Sequence, residues 1–113
     1  MKIYNIFNEV IFEDAAKIIK EAVENAVKQG ANLDNACLQS VDLTGAKLTG
    51  ANLTDANFTG AILTGANLKS ANLKDAYFKS SKLKGARMTQ VDLDKIKDQL
   101  TKDQINQIKI VGK

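Results

Sequence analysis

The chain has 113 residues, enough for one domain with one core, and combines 44% hydrophobic residues with only 5% aromatic ones and no Trp or Pro, so any core is thin and aliphatic. It contains no His and a single Cys, which excludes imidazole acid–base catalysis, Ser-His-Asp and Cys-His nucleophiles, thiolate or imidazole zinc sites and an intramolecular disulfide framework. The net charge is +3, and no apolar run exceeds three residues, so neither a transmembrane helix nor a signal-peptide core is expected and the default location is the cytoplasm.

Residues 1–30 read as a cap. Ile3 to Phe7 and Val10 to Phe12 are short β-prone runs around Asn8 and Glu9, predicting a hairpin or a pair of edge strands. From 14 to 29 the apolar residues Ala15, Ile18, Ile19, Ala22, Val23, Ala26 and Val27 fall at i, i+3, i+4, i+7, i+8 spacing, which predicts an amphipathic helix. Asp14 is its candidate N-cap and Gly30 its C′ residue, with Lys20, Glu24 and Lys28 pairing along the exposed face. Its apolar stripe is expected to lie over the open end of the next segment.

Residues 31–95 are a five-residue repeat copied thirteen times without insertion or deletion. The central residues are Leu33, Leu38, Leu43, Leu48, Leu53, Phe58, Leu63, Leu68, Leu73, Phe78, Leu83, Met88 and Leu93, and these form the candidate core. Two residues before each centre stands Ala, replaced only by Val41, Ser81 and Val91. The other slots are polar, and the last of them holds residues such as Gly45, Gly50, Gly60, Gly65 and Gly85. On a helix, positions five apart point about 140° away from each other. On one continuous strand an odd spacing alternates faces. A corner in every copy is therefore required, and glycine, Asp or Asn in the last slot permits the positive φ that a corner needs.

Copies such as VDLTG, AKLTG, ANLTD, ANFTG and ANLKS resemble the pentapeptide repeat family, whose pattern is A(D/N)LXX. The resemblance implies an all-β solenoid, a right-handed quadrilateral β-helix of about three coils, with helical caps at both ends. Residues twenty apart would then share a column, placing Phe58 over Phe78 and aligning Asn32, Asn52, Asn72 and Asp92. Gly45 with Gly60 and Asn52 with Asn67 would suit a three-sided coil of fifteen residues instead.

Past Leu93 the phase fails at Asp98, so the repeat is expected to end near Lys95. In 96–113, Ile96 and Leu100 lie at helical spacing, Thr101 with Gln104 has the form of a capping box, and Ile108 to Val111 could pair as an edge strand. This segment resembles the family's C-terminal helical cap, which sometimes supplies a dimer contact, so a monomer and a homodimer are both open.

Chemistry-bearing groups are few. Cys37 reads as a free thiol on a polar face, Asp55 and Asp75 as solvated corner residues, and neither metal nor cofactor is expected. Charge is uneven: 31–65 sum to −2 (Lys47 against Asp34, Asp42 and Asp55), whereas 66–95 sum to +4. Lys69, Lys74, Lys79, Lys82, Lys84 and Arg87 are the candidate basic surface, distributed as a collar over four sides and lacking the aromatics that single-strand binding uses. The function expected is a non-enzymatic protein-interaction or structural module of unknown partner. Weak sequence-independent nucleic-acid binding by the basic C-terminal coils is the alternative. The family resemblance adds a DNA mimic that modulates a type II topoisomerase, from which this chain departs in being short and carrying +3. Its richness in Lys, Asn and Ile is of the kind that AT-rich bacterial genomes encode.

Overall fold

The computed structural model describes residues 1–112. Strand β1 (Lys2–Tyr4) pairs antiparallel with β2 (Val10–Glu13), with a register shift between Ile3 and Tyr4. Asn5 holds the connection: its side-chain oxygen accepts from the amides of Phe7 and Glu9, both at 3.0 Å. Helix α1 (Ile19–Lys28) buries Ala22, Val23 and Ala26. It starts five residues later than the 14–29 stripe predicts, and Asp14 is not its N-cap, since that position is Ile18. Asp14 instead closes the turn after β2 by accepting from the Ala16 amide at 3.0 Å and pins the helix flank through Asn25 at 2.7 Å. Those bonds hold 14–18 out of helix, which leaves Ala15 and Ile18 exposed.

The end of α1 is set by Gly30, whose φ is +69°. Its amide donates to the Val27 carbonyl at 3.0 Å and the Ala31 amide to the Ala26 carbonyl at 2.9 Å, the paired bonds of a Schellman motif. Glu24 does not serve an i,i+4 pair; its Oε2 accepts from the Lys47 amide at 2.8 Å and so ties the helix to the repeat.

In the repeat, corner and ladder alternate. From Ala36 to Ala86 each small-slot amide donates to the preceding centre's carbonyl, at 2.9–3.4 Å, for example Ala61 to Phe58 at 2.9 Å. The last-slot residue between them has φ between +59° and +72°, from Asn35 to Gly85. Positive φ at the third position with an i to i+3 bond is a type II turn. Six of these corners carry no glycine: Asn35, Ser40, Asp55, Ser70, Asp75 and Ser80. The remaining backbone groups pair between residues about twenty apart, through parallel bridges that link Asn32, Asn52 and Asn72; Cys37, Asn57 and Tyr77; Asp42, Ile62 and Lys82; and Lys47, Asn67 and Arg87. The spacing is twenty and not fifteen. Twelve centres thus stack in four columns: Leu33, Leu53, Leu73; Leu38, Phe58, Phe78; Leu43, Leu63, Leu83; Leu48, Leu68, Met88. None is more than 3% exposed. Most bridges span single residues, so extended strands are few and no sheet closes.

Gly60 shows how tight a corner is. A Cβ added there would lie 3.3 Å from the Ser40 hydroxyl, at a φ of +69° that side chains disfavour. Gly60→Ala is therefore expected to cost about 1–2 kcal/mol, read as a lowered urea midpoint. A midpoint within error of wild type would mean the corner relaxes freely.

The repeat stops one copy earlier than its phase predicts. After β3 (Arg87–Met88) the chain enters α2 (Gln90–Ile96), so Val91 to Lys95 are helical; Leu93 is still buried, but on a helix, and Asp92 does not extend the Asn32–Asn52–Asn72 ladder. Thr89 and Asp92 form a reciprocal capping box. A 3-10 turn (Lys97–Gln99) leads to α3 (Lys102–Gln107), opened by the Thr101–Gln104 capping box. Strand β4 (Lys109–Ile110) then pairs parallel with β3. The final residue of the expected tail, Lys113, lies outside the described residues.

Candidate functional site

The columns are closed by hydrocarbon, with Phe58 and Phe78 stacked at 5.4 Å between centroids and 7° between planes. No group of three or more His, Cys, Asp or Glu that could hold a metal occurs among the described residues. Asp55 and Asp75 occupy corners at φ +60°, and the Asp75 amide donates to Gln99 at 3.0 Å. Cys37 is a free, half-buried thiol, and its amide donates to the Tyr4 carbonyl at 2.7 Å. Surfaces are what remain.

The six basic residues are distributed by the columns. Lys82 bridges Ile62 in the third column and Arg87 bridges Asn67 in the fourth, while Lys69, Lys74, Lys79 and Lys84 each follow a centre at a different corner. The pairing of β4 adds Lys109 beneath Arg87, so one outward ladder reads Lys47, Asn67, Arg87, Lys109. Lys109 lies outside the repeat and only the strand pairing reveals it. The sole ion pair among the described residues is Lys97 with Asp94 at 3.4 Å. Burial pushes the Asp92 carboxyl up, but the amides of Ser70 and Thr89 and the Thr89 hydroxyl outweigh it and hold it below the ordinary value.

Two ends of the stack differ in finish. At the upper end Tyr4 to Ile6 run antiparallel to 35–37, and large apolar side chains remain exposed: Ile6 47%, Phe7 68%, Val10 47% and Ile18 53%. At the lower end polar side chains imitate a further layer of backbone. Gln99 Nε2 donates to the carbonyls of Leu73 and Ala76 at 2.9 and 3.1 Å, and Gln104 Nε2 to those of Phe78 and Ser81 at 2.7 and 3.2 Å. The sequence marks Gln104 only as a helix cap and gives no sign of Gln99.

Corners every five residues, ladders every twenty and an apolar interior define a repeat protein. The chain belongs to the pentapeptide repeat family: the family's model, described as pentapeptide repeats, matches eight copies over residues 29–65 and 51–94. Such repeats imply a β-helix. Among solved structures the chain is similar to the crystal structure of a pentapeptide repeat protein, Rfr23, from the cyanobacterium Cyanothece 51142, at 41% identity over 45% of this chain and 35% of that one, with a TM-score of 0.44. The matched part thus spans about a third of that protein's length. No curated protein matches. No helix among the described residues is long and apolar enough to cross a membrane.

Proposed function

We propose that the chain is a right-handed quadrilateral β-helix of about three coils, the four columns being its sides, and that it acts as a non-enzymatic protein-interaction module. Residues 1–30 form the upper cap, 31–89 the coil and the remainder the lower cap of one structural domain. A free half-buried thiol at Cys37 suits the reducing cytoplasm. The observation that carries the reading is the apolar surface at the hairpin end. Met1, Tyr4, Ile6, Phe7, Val10 and Ile18 are each 39–68% exposed. Large apolar side chains left exposed near one end of a small chain, with Tyr4 beside Val10 across the hairpin, are of the kind associated with contact sites. The partner is a protein presenting an uncharged, apolar face. The test is affinity capture from cell extract by the wild-type chain and by the double variant Ile6→Asp, Phe7→Asp. Proteins retained by the first and lost by the second are expected; identical retention, or none, argues against the module.

A second reading, weak sequence-independent nucleic-acid binding, is favoured by Lys109 joining the ladder of Lys47 and Arg87. Binding to a mixed-sequence duplex that weakens steeply with salt is its expected signature, and no binding at low ionic strength removes it.

A further inference from the structure

Where a residue bridges the layer above, two backbone bonds usually hold it, although Asn52 shows only the one from the Leu33 amide. The Asn72 amide donates to the Ala51 carbonyl at 2.8 Å, and the Asn72 carbonyl accepts from the Leu53 amide at 2.9 Å. At the lower edge the corresponding carbonyl is taken in three columns: Ala76 by Gln99, Ser81 by Gln104, and Ala86 by the Lys109 amide at 2.8 Å. In the first column it is not. Neither the Ala71 carbonyl nor the Leu73 amide has a partner among the described residues. This is the edge along which a thirteenth pentapeptide would run, and because α2 forms instead, a groove of about 1000 Å³ opens between that edge, α2 and β4.

The groove joins a strand edge to an apolar surface and a basic rim. Ile96, Ile110 and Val111 line it, and Lys69, Lys74 and Lys95 surround it. Asp92, the acidic side chain in the lining, has its Oδ2 committed to the Ser70 and Thr89 amides, each at 3.0 Å. None of the three lysines is in an ion pair with another described residue.

We propose that this groove binds an extended segment of a partner protein by strand addition beneath Ala71 and Leu73, and that the segment alternates apolar and acidic residues. One of its residues makes both backbone bonds, as Asn72 does one tier above; apolar neighbours cover Ile110 and Val111, and carboxylates meet the lysines. The proposal rests on the interaction-module reading but uses the opposite end of the stack from the hairpin patch.

The probe is an acetylated, amidated octapeptide alternating Val and Asp, titrated into the full chain labelled with ¹⁵N. Saturable binding in the micromolar to millimolar range is expected, with the Leu73 amide proton moving downfield as it gains an acceptor. The charge-reversed variant K69E/K74E/K95E, altered only at surface side chains, should keep its melting temperature and lose at least tenfold in affinity. N-methylation of the peptide backbone at alternate residues should lose as much, since it removes the donor to Ala71 while leaving charge and hydrophobicity in place. Binding insensitive to N-methylation, or no change at Leu73 at millimolar peptide, overturns the proposal. So do Leu73 shifts that grow with protein concentration without peptide, which would give the groove to a second copy. If the groove fails while Ile6→Asp, Phe7→Asp still abolishes capture, the interaction module stands and only this site falls.

Discussion

Truncating Phe58 to alanine is expected to cost about 3–5 kcal/mol of folding free energy, the largest single loss available in the repeat. The side chain is fully buried in the middle tier, above Phe78 and below Leu38 in one column. Its neighbours cannot collapse into the space left behind. Phe58's own amide is tied to the Tyr77 carbonyl at 2.8 Å, the Asn57 amide to Ala36 at 2.9 Å, and the adjacent centres Leu53 and Leu63 to the tier below at 2.9 and 2.8 Å. A lattice pinned on both sides keeps the void, and the cost of a large-to-small change rises with the cavity that persists. The near-parallel, offset stack with Phe78 adds about 0.5–1.5 kcal/mol that leucine cannot replace, so Phe58→Leu should cost less than alanine but more than nothing. Urea unfolding measures both, with the midpoint falling and the slope unchanged. A loss below about 1.5 kcal/mol for alanine would mean that the interior repacks like a loose helical bundle, contrary to a ladder that fixes every centre.

The same ladder explains which parts of this architecture can be read from the chain alone. A strict period of five leaves no regular element that keeps Leu33 to Met88 on one side, so the corners follow from sequence, and Gly60 or Gly65 mark them. The number of corners per turn follows only weakly: Gly45, Gly65 and Gly85 recurring at twenty favour four over three mildly, with Gly45 and Gly60 suiting fifteen, and Asn32 bridging Asn52 decides for twenty. The end of the repeat is present as a signal that apolar phasing overlooks. Val91, Asp92 and Leu93 satisfy the pentapeptide pattern and a helix equally well. What separates the two is Gln90, which occupies a slot filled in the eleven preceding copies by Gly, Ser, Asp or Asn and which would have to adopt positive φ to make a corner. Thr89 and Asp92 then cap a helix in its place. At the other end, the stripe from Ala15 to Val27 is helical in spacing, yet Asp14's bond to Asn25 claims its first turn for the link from β2, a tertiary contact that no local pattern encodes. Lys109 reaches the basic ladder for the same reason: its neighbours in space come from 22 residues earlier in the chain, through Arg87.

Gln104→Glu is expected to lose about 3–4 kcal/mol at pH 7, although it changes one nitrogen to oxygen. Gln104 is 7% exposed and works in two directions. Its Oε1 accepts from the Thr101 amide at 3.0 Å, and its Nε2 donates to the Phe78 carbonyl at 2.7 Å, the Ser81 carbonyl at 3.2 Å and the Ser81 hydroxyl at 3.3 Å. Glutamate preserves the capping box and replaces the donor with a second acceptor facing two carbonyls. The folded state must therefore protonate the carboxyl, and holding a group of ordinary pKa about 4.3 neutral at pH 7 costs about 1.4 kcal/mol per pH unit, or about 3.7 in all. The introduced carboxyl would have a folded pKa raised above its unfolded one, so the variant's deficit is fully developed above the folded pKa and shrinks as pH falls toward the unfolded value. At about pH 4 the protonated acid can donate to Phe78 as the amide does, and the variant should approach wild type. Gln104→Ala gives the control: it abandons the carbonyls at any pH, at about 1–3 kcal/mol, with no recovery in acid relative to wild type. Urea midpoints of the three proteins at pH 7 and pH 4 distinguish the cases. Equal midpoints for wild type and the glutamate variant at pH 7 would show that water can serve the lower edge as well as the amide does. The imitation of a fourth backbone layer by Gln99 and Gln104 would then contribute nothing to closing the stack.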